Sequence, residues 1–276
     1  MHECRLPEGF RFSQQALEDY TACPRRFYLR YLCRLRWPTP PRAMGAHGRR
    51  MTLGSRFHRL VQRHLLGLPE AALQREADAD EALADLWATY LREAPFADLS
   101  GRRYVELRLG ATLDGHRLIA RYDLIVVGEE GTATIVDWKT NARAEERSLL
   151  ARRWQTRLYR YLLVRAGAEL NGGRPFAPEA ITMRYWYAAV LAERRLPYTR
   201  DDFARDEADL RTLLAAIAAA DGEADFPRVE DERSCRFCPY RTFCEGEVPL
   251  VAEAEPEEQE PWESWDFDQI AEIEFH

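Results

Sequence analysis

From Arg103 to Thr140 apolar and polar residues alternate with a period of two, whereas on both sides of that stretch apolar residues recur every three to four positions. A period of two places successive side chains on opposite faces of a strand, and a period near 3.6 lines one face of a helix. RYVELRLG (103–110), HRLIARYDLIVVG (116–128) and TATIVDWKT (132–140) therefore predict three strands in a meander, with GEEG as the turn between the last two. Upstream, Ser13 to Arg36 predicts two short helices broken at Cys23-Pro24, with Phe27, Tyr28, Tyr31 and Leu32 at helical spacing. A Pro-, Gly- and Arg-rich loop follows over 37–50. Then TLGSRFHRLVQRHLL carries the stripe Leu53, Phe57, Leu60, Val61, Leu65, and a further helix is predicted from Glu81 to Arg92. Downstream, 145–165 reads as one helix, ITMRYWYAAVL (181–191) as a fourth strand, and Asp201 to Ala220 as a helix. The order predicts an α/β fold, a central mixed sheet covered by helices. Repeats, a Walker A pattern and a Gly-rich dinucleotide loop are absent, which argues against a motor or a Rossmann enzyme.

The 276 residues are 46% apolar, with 7 Trp, 12 Tyr and 12 Phe, ample for a buried core of one large domain or two small ones. No run of about 18 apolar residues occurs, and MHECRLPEGFRF lacks a charged segment followed by an apolar one, so a cytoplasmic protein with no membrane contact is expected. The formal charge of −7 conceals an asymmetry. From Glu245 to His276 there are 12 acidic and no Lys or Arg residues, leaving 34 acidic against 39 basic residues before them, a net of +5. A mildly basic body suits a polyanionic partner.

Lys139 is the single lysine; the other 38 basic residues are arginine. On a strand Asp137 and Lys139 project to the same face, and a hairpin closed at Glu129-Glu130 puts Asp123 opposite Val136, one residue from Asp137. Paired carboxylates are oxygen ligands for a hard cation such as Mg²⁺ or Mn²⁺, and an ammonium beside them is a compact donor that a guanidinium does not replace. The alternative is a surface ion pair with no chemistry attached. CRFCPYRTFC places Cys235, Cys238 and Cys244 with two and then five residues between them, a thiolate spacing for zinc or an iron–sulfur cluster. Cys4 and Cys33 have no such spacing partner.

Together these residues resemble the PD-(D/E)XK nuclease superfamily, in particular the RecB-like branch that includes the nuclease domains of RecB and AddB and CRISPR-associated RecB-like nucleases. The resemblance runs from about Phe12 to Glu245 and rests on SQQALEDYTACPRRFYLRY, LGSRFHRLV, YVELRL, IARYDLIV, IVDWKT and WQTRLY. It departs from the usual pattern at Ala120-Arg121, where relatives carry glycine before the first aspartate motif. What it implies is a restriction-endonuclease-like core at 1–245, with His58, Asp123, Asp137 and the Trp138 carbonyl as Mg²⁺ or Mn²⁺ ligands. Lys139 is then the residue that positions the attacking water, and Glu106 lies beside the metal. Gln155 and Tyr159, four apart on one helical face, support the site or touch the nucleic acid. In relatives with iron–sulfur sites the fourth cysteine comes from a Cys-Pro-x-x-Phe segment, matched here by Cys23-Pro24-Arg25-Arg26-Phe27. That implies a [4Fe–4S] cluster on Cys23, Cys235, Cys238 and Cys244, stapling the N-terminal helices to the C-terminal cysteine loop across a long stretch of chain.

Arginines are dense at 25–50 and 143–165 and are interleaved with aromatic residues, a composition that suits a path for single-stranded DNA or DNA ends. Residues 246–276 read as an acidic linker and a short amphipathic tail around Trp265, Ile270 and Ile273. It is either a solubilising extension or a segment that docks a helicase or CRISPR integrase or masks the chain's own basic groove in competition with DNA. The expected activity is a metal-dependent DNA nuclease, an exonuclease serving repair, recombination or defence. The alternatives are a CRISPR-associated nuclease that trims spacer precursors with an integrase, and a DNA-binding subunit without catalysis.

Overall fold

The computed structural model describes residues 6–35, 46–93, 96–230, 232–235 and 238–245, without the side chains of 46–51, 232, 233 and 242. A short strand β1 (Arg11–Phe12) leads into α1 (Gln14–Ala22), capped by Ser13, whose hydroxyl accepts from Ala16 N. Pro24 opens α2 (Pro24–Phe27), which widens into a π-helical turn over Tyr28–Leu32, so the helix pair broken at Cys23-Pro24 is present. Three helices follow: α3 (Ala46–Leu65), α4 (Glu70–Ala77) and α5 (Glu81–Glu93). Helix α3 begins inside the stretch read as loop, because the last proline is Pro41 and nothing after it forbids helix.

The meander is β2 (Arg102–Leu113), β3 (His116–Val127) and β4 (Ala133–Lys139). After it come α6 (Arg147–Arg152), α7 (Trp154–Ala166), β5 (Ile181–Tyr187), β6 (Ala192–Pro197) and α8 (Arg200–Ala219). The helix expected over 145–165 is two. Arg153 is extended (φ −66, ψ 139), Thr156 Oγ1 donates to Leu150 O at 2.6 Å, and Arg153 pairs with Glu145 at 2.5 Å, which together hold the corner. The strand expected over 181–191 ends at Tyr187 and returns as β6, whose sequence AERRLP carries no alternation because it is an outer, charged strand.

The sheet is mixed. Strand β3 pairs antiparallel with β2 along one side; its other side is shared by β4 at one end and the parallel β1 at the other. Strand β5 adds parallel to β4 and β6 antiparallel to β5. One face of β4 sends Val136 and Trp138 into a core with Phe57, Leu60, Leu73, Leu83, Trp87 and Tyr90 of α3–α5. The opposite face is covered by α7 through Leu158, Tyr159 and Leu162. Residues up to Tyr240 form one compact unit that includes α9 (Glu232–Cys235). A second unit starts at Arg241, of which α10 (Arg241–Glu245) is described. The boundary expected at 245 and the tail beyond it lie outside the described residues. Among the described residues no helix is long and apolar enough to cross a membrane.

Candidate active site

The β3–β4 register differs by one residue from the one expected. Gly128 N bonds Thr132 O at 2.9 Å, so the turn encloses three residues, with Gly131 at φ 73, rather than closing tightly at Glu129-Glu130. An odd loop shifts the pairing by one: Leu124, not Asp123, stands opposite Val136, and the next position along sets Asp123 across from Asp137. The ladder ends at Leu124, so both carboxylates sit where the two strands part.

The pleat also breaks there. Glu106 has φ 52, a left-handed conformation that disfavours a residue with a Cβ, and it is skipped in a β2–β3 register that is otherwise continuous. Leu124 and Val126 face α3–α5, yet Tyr122, of the same parity, donates its hydroxyl to Tyr159 O on α7 at 2.8 Å. A strained residue inside a strand marks a place where surrounding structure fixes a side chain against local preference. Here it holds the Glu106 carboxylate near Asp123, 3.3 Å from Arg121. Burial, with the Asp123 charge adding to it, pushes the Glu106 carboxyl above its ordinary value.

Six side chains meet around this opening. Lys139 Nζ lies 2.7 Å from Asp137 Oδ2 and donates to Gln155 Oε1 at 3.1 Å, while Gln155 Nε2 donates to Asp137 Oδ1 at 2.5 Å. Gln155 thus clamps the aspartate and the lysine together. Trp138 N donates to Asp123 Oδ2 at 3.3 Å, and His58 sits with Nδ1 3.4 Å from the same oxygen and Nε2 2.8 Å from Trp138 O. Tyr159 is buried behind Gln155 and supports the sheet side of the site rather than presenting itself to solvent.

Helix α3 reaches this seam because Gly54, one turn before His58, lets it approach the end of β4: a Cβ there would stand 3.1 Å from Thr140 Oγ1. Two residues beyond those expected at the site also shape it, Gly54 and Tyr185, whose ring faces Lys139 Nζ at 5.4 Å. The small residue four positions before His58 was the available sign of the first. The second follows from Tyr185 pairing with Asp137 across β4–β5, a long-range register no local pattern announces.

The charges are unevenly compensated. Burial raises the Asp137 carboxyl above its usual range, Asp123 adds to the effect, and Lys139 offsets only part of it. Burial works in the same direction on Asp123, but the His58 ring outweighs it and holds that carboxyl below its usual range. The ring itself is raised: burial favours the neutral form, and the Asp123 charge and hydrogen bond overcome it. With Nε2 against a carbonyl and Nδ1 against a carboxylate, both nitrogens act as donors. Burial would lower Lys139, but Asp137 raises it, so Lys139 is an ammonium donor and not a base. Asp137 is buried, and its Oδ2 meets the Lys139 ammonium at 2.7 Å. Among the described residues no three His, Cys, Asp or Glu side chains already converge as a metal cage. His58 and Trp138 O, both expected as ligands, are instead bonded to each other. The donor set of two carboxylates, whose mutual repulsion Lys139 offsets only in part, nevertheless suits a hard cation.

Residues 11–245 match the PD-(D/E)XK nuclease superfamily. The chain belongs to that superfamily. PD-(D/E)XK nucleases use divalent metals such as Mg²⁺, and the mixed sheet with flanking helices is consistent with their core. No curated protein sequence matches. Among solved structures, a candidate exonuclease from Eubacterium rectale aligns over 91% of this chain and 91% of its own, with 12% identity and a TM-score of 0.50, a likeness of fold. SSO0001 aligns over 88% of this chain and 89% of its own, with 13% identity and a TM-score of 0.41.

Away from this PD-(D/E)XK seam, Cys23 is buried and Cys235 and Cys238 are half-buried, with Cys238 N bonded to Cys235 O at 3.1 Å. Burial raises the Cys238 thiol, and Cys23 and Cys235 add to it as neighbouring charges, so these three share one locality in the first unit. Cys244 belongs to the second unit, in α10, and is half-buried. None of the described cysteines forms a disulfide. Cys4 lies outside the described residues, as do the arginines at 36 and 42.

Proposed function

We propose that this PD-(D/E)XK nuclease is a metal-dependent deoxyribonuclease acting on single-stranded DNA or DNA ends. The observation that carries the reading is the clamp of Asp137, Lys139 and Gln155 beside Asp123 at the parting of β3 and β4. Asp123 and Asp137 would hold Mg²⁺ or Mn²⁺, with His58 and the Trp138 carbonyl completing the set after releasing one another. When bound, the cation polarises the phosphodiester and lowers the pKa of a water. Lys139, fixed by Asp137 and Gln155, orients the attacking water through its ammonium, a point donor that fits between a carboxylate, an amide and an aromatic face. Glu106 contributes a further carboxylate at the edge of the site. An open cleft of about 750 Å³ flanks β6, lined by Arg147, Arg194 and Arg195 with Ser148, Glu146 and Glu193; Arg195 is paired there with Glu193 and Asp98, so a strand's phosphates would compete with those carboxylates for it.

The cysteine spacing supports a second element of the reading, a [4Fe–4S] cluster on Cys23, Cys235, Cys238 and Cys244 with a structural role. Anaerobic purification should give a brown protein with about four irons and four sulfides per chain. Colourless protein binding zinc instead would remove the cluster and leave the nuclease reading in place. The nuclease reading itself is tested with labelled single- and double-stranded DNA in Mg²⁺ or Mn²⁺. Cleavage should require the cation, favour single strands and vanish in Asp137→Ala. Cleavage in EDTA, or undiminished in the variant, refutes it.

A further inference from the structure

The N-terminus of α7 has an unusual guardian. Arg153 stands at the cap position and provides no side-chain hydrogen bond, and the first turn of α7 contains no acidic residue. Its leading amides therefore lack a local partner. The one at Trp154 donates to Glu18 Oε1 at 2.8 Å, a carboxylate 136 positions away on α1. A carboxylate at a helix N-terminus makes a charge-assisted hydrogen bond and also complements the helix dipole. The next residue along is Gln155, which holds both Asp137 and Lys139.

Helix α1 is itself firmly placed. Asp19, the neighbour of Glu18, is buried, ion-pairs with Arg26 Nε at 2.8 Å and accepts from Arg30 Nη1 at 2.7 Å. Cys23 N closes the same helix on Asp19 O at 2.9 Å. A chain of contacts thus runs from Cys23 along α1 through Asp19 and Glu18 to Trp154 and Gln155. On its far side α7 is held by Arg157 against Asp206 and Asp209, and its apolar face is buried by Leu158 and Leu162. Losing Glu18 would leave α7 folded and free only its first turn, the turn that carries Gln155.

Resting on the nuclease reading, we propose that Glu18 is a positioning residue for the reaction: by capping α7 from α1 it sets Gln155, and through Gln155 the Asp137–Lys139 pair. Two readouts on the full chain test it. In Glu18→Ala the amides of Trp154 and Gln155 should exchange hydrogen faster while the rest of α7 stays protected. The value of kcat on single-stranded DNA should fall about tenfold with KM within about twofold, since a small displacement of a positioned group is felt at the reacting centre. Glu18→Gln, whose amide oxygen accepts the same bond, should recover most of the rate. In a Gln155→Ala background Glu18→Ala should cost nothing further, because both changes act on one group. Losses that multiply in the double variant, an unchanged kcat, or unchanged exchange at Trp154 overturn the proposal. A wild-type chain that cleaves no DNA in either metal removes the nuclease reading instead, and the exchange measurement still decides whether Glu18 fixes the start of α7.

Discussion

Two buried aspartates, both exposed by 3% or less, are treated in opposite ways. Asp19 is fully answered: Arg26, Arg30, Gln15 Nε2 at 3.0 Å and Tyr31 OH at 3.3 Å surround its oxygens. Asp137 has one lysine and one amide, and a second carboxylate at Asp123 across the strand gap that raises its carboxyl further. Where this chain needs a buried carboxylate for architecture it completes it with arginine, whose fork satisfies several lone pairs at once. Where the carboxylate belongs to the candidate site, it is left under-compensated and given the only lysine. The incomplete one has capacity left for a cation.

The largest effect expected from this contrast is on stability. Asp19→Asn leaves two guanidinium groups facing a neutral amide in a buried place and should cost about 3–5 kcal/mol. Asp137→Asn should cost clearly less in EDTA, because the Lys139 ammonium loses a counter-charge but the repulsion between Asp137 and Asp123 is relieved at the same time. Urea unfolding of both variants measures the difference, and equal losses would remove the distinction between the two carboxylates.

A mid-sized effect is expected at Glu106. Glu106→Gly relieves the left-handed backbone and should stabilise the metal-free protein by about 1 kcal/mol while lowering cleavage. A melting temperature that falls with Glu106→Gly would mean that the conformation carries no strain. This residue also shows where sequence reading ends. Val-Glu-Leu announces a strand but not a flipped glutamate, because the flip is imposed by β3 and by the helices on both faces. The strands and the helix pair broken at Cys23-Pro24 are legible from alternation and proline, the nearness of Asp123, Asp137 and Lys139 from the hairpin, and the place of His58 only through the family resemblance. The register error came from loop parity, which Glu129-Glu130 does not reveal. Helix α4, the corner at Arg153, β1, β6 and the Glu18 cap depend on distant partners, and local composition carries no trace of those.

The smallest effect is electrostatic. The His58 ring is raised in the folded chain, so its pairing with Asp123 adds stability that is complete below the unfolded value of about 6.5 and is lost as pH rises through the folded pKa. In EDTA, the melting-temperature advantage of the wild type over His58→Gln should therefore be largest near about pH 5.5 and shrink towards about pH 9. An advantage that grows with pH would mean that the ring is buried neutral, as in an ordinary structural histidine.

The central claim is that the solitary lysine is chemical and not residual, and Lys139→Arg tests it most directly. The substitution keeps the charge and matches the residue this chain uses at every other basic position. Cleavage of labelled single-stranded DNA in Mn²⁺ should fall by about a hundredfold to ten-thousandfold, the range for losing a positioned proton-handling group, with the fold intact by circular dichroism. Activity within about threefold of wild type would contradict the account, because Lys139 would then be a charge that any cation replaces.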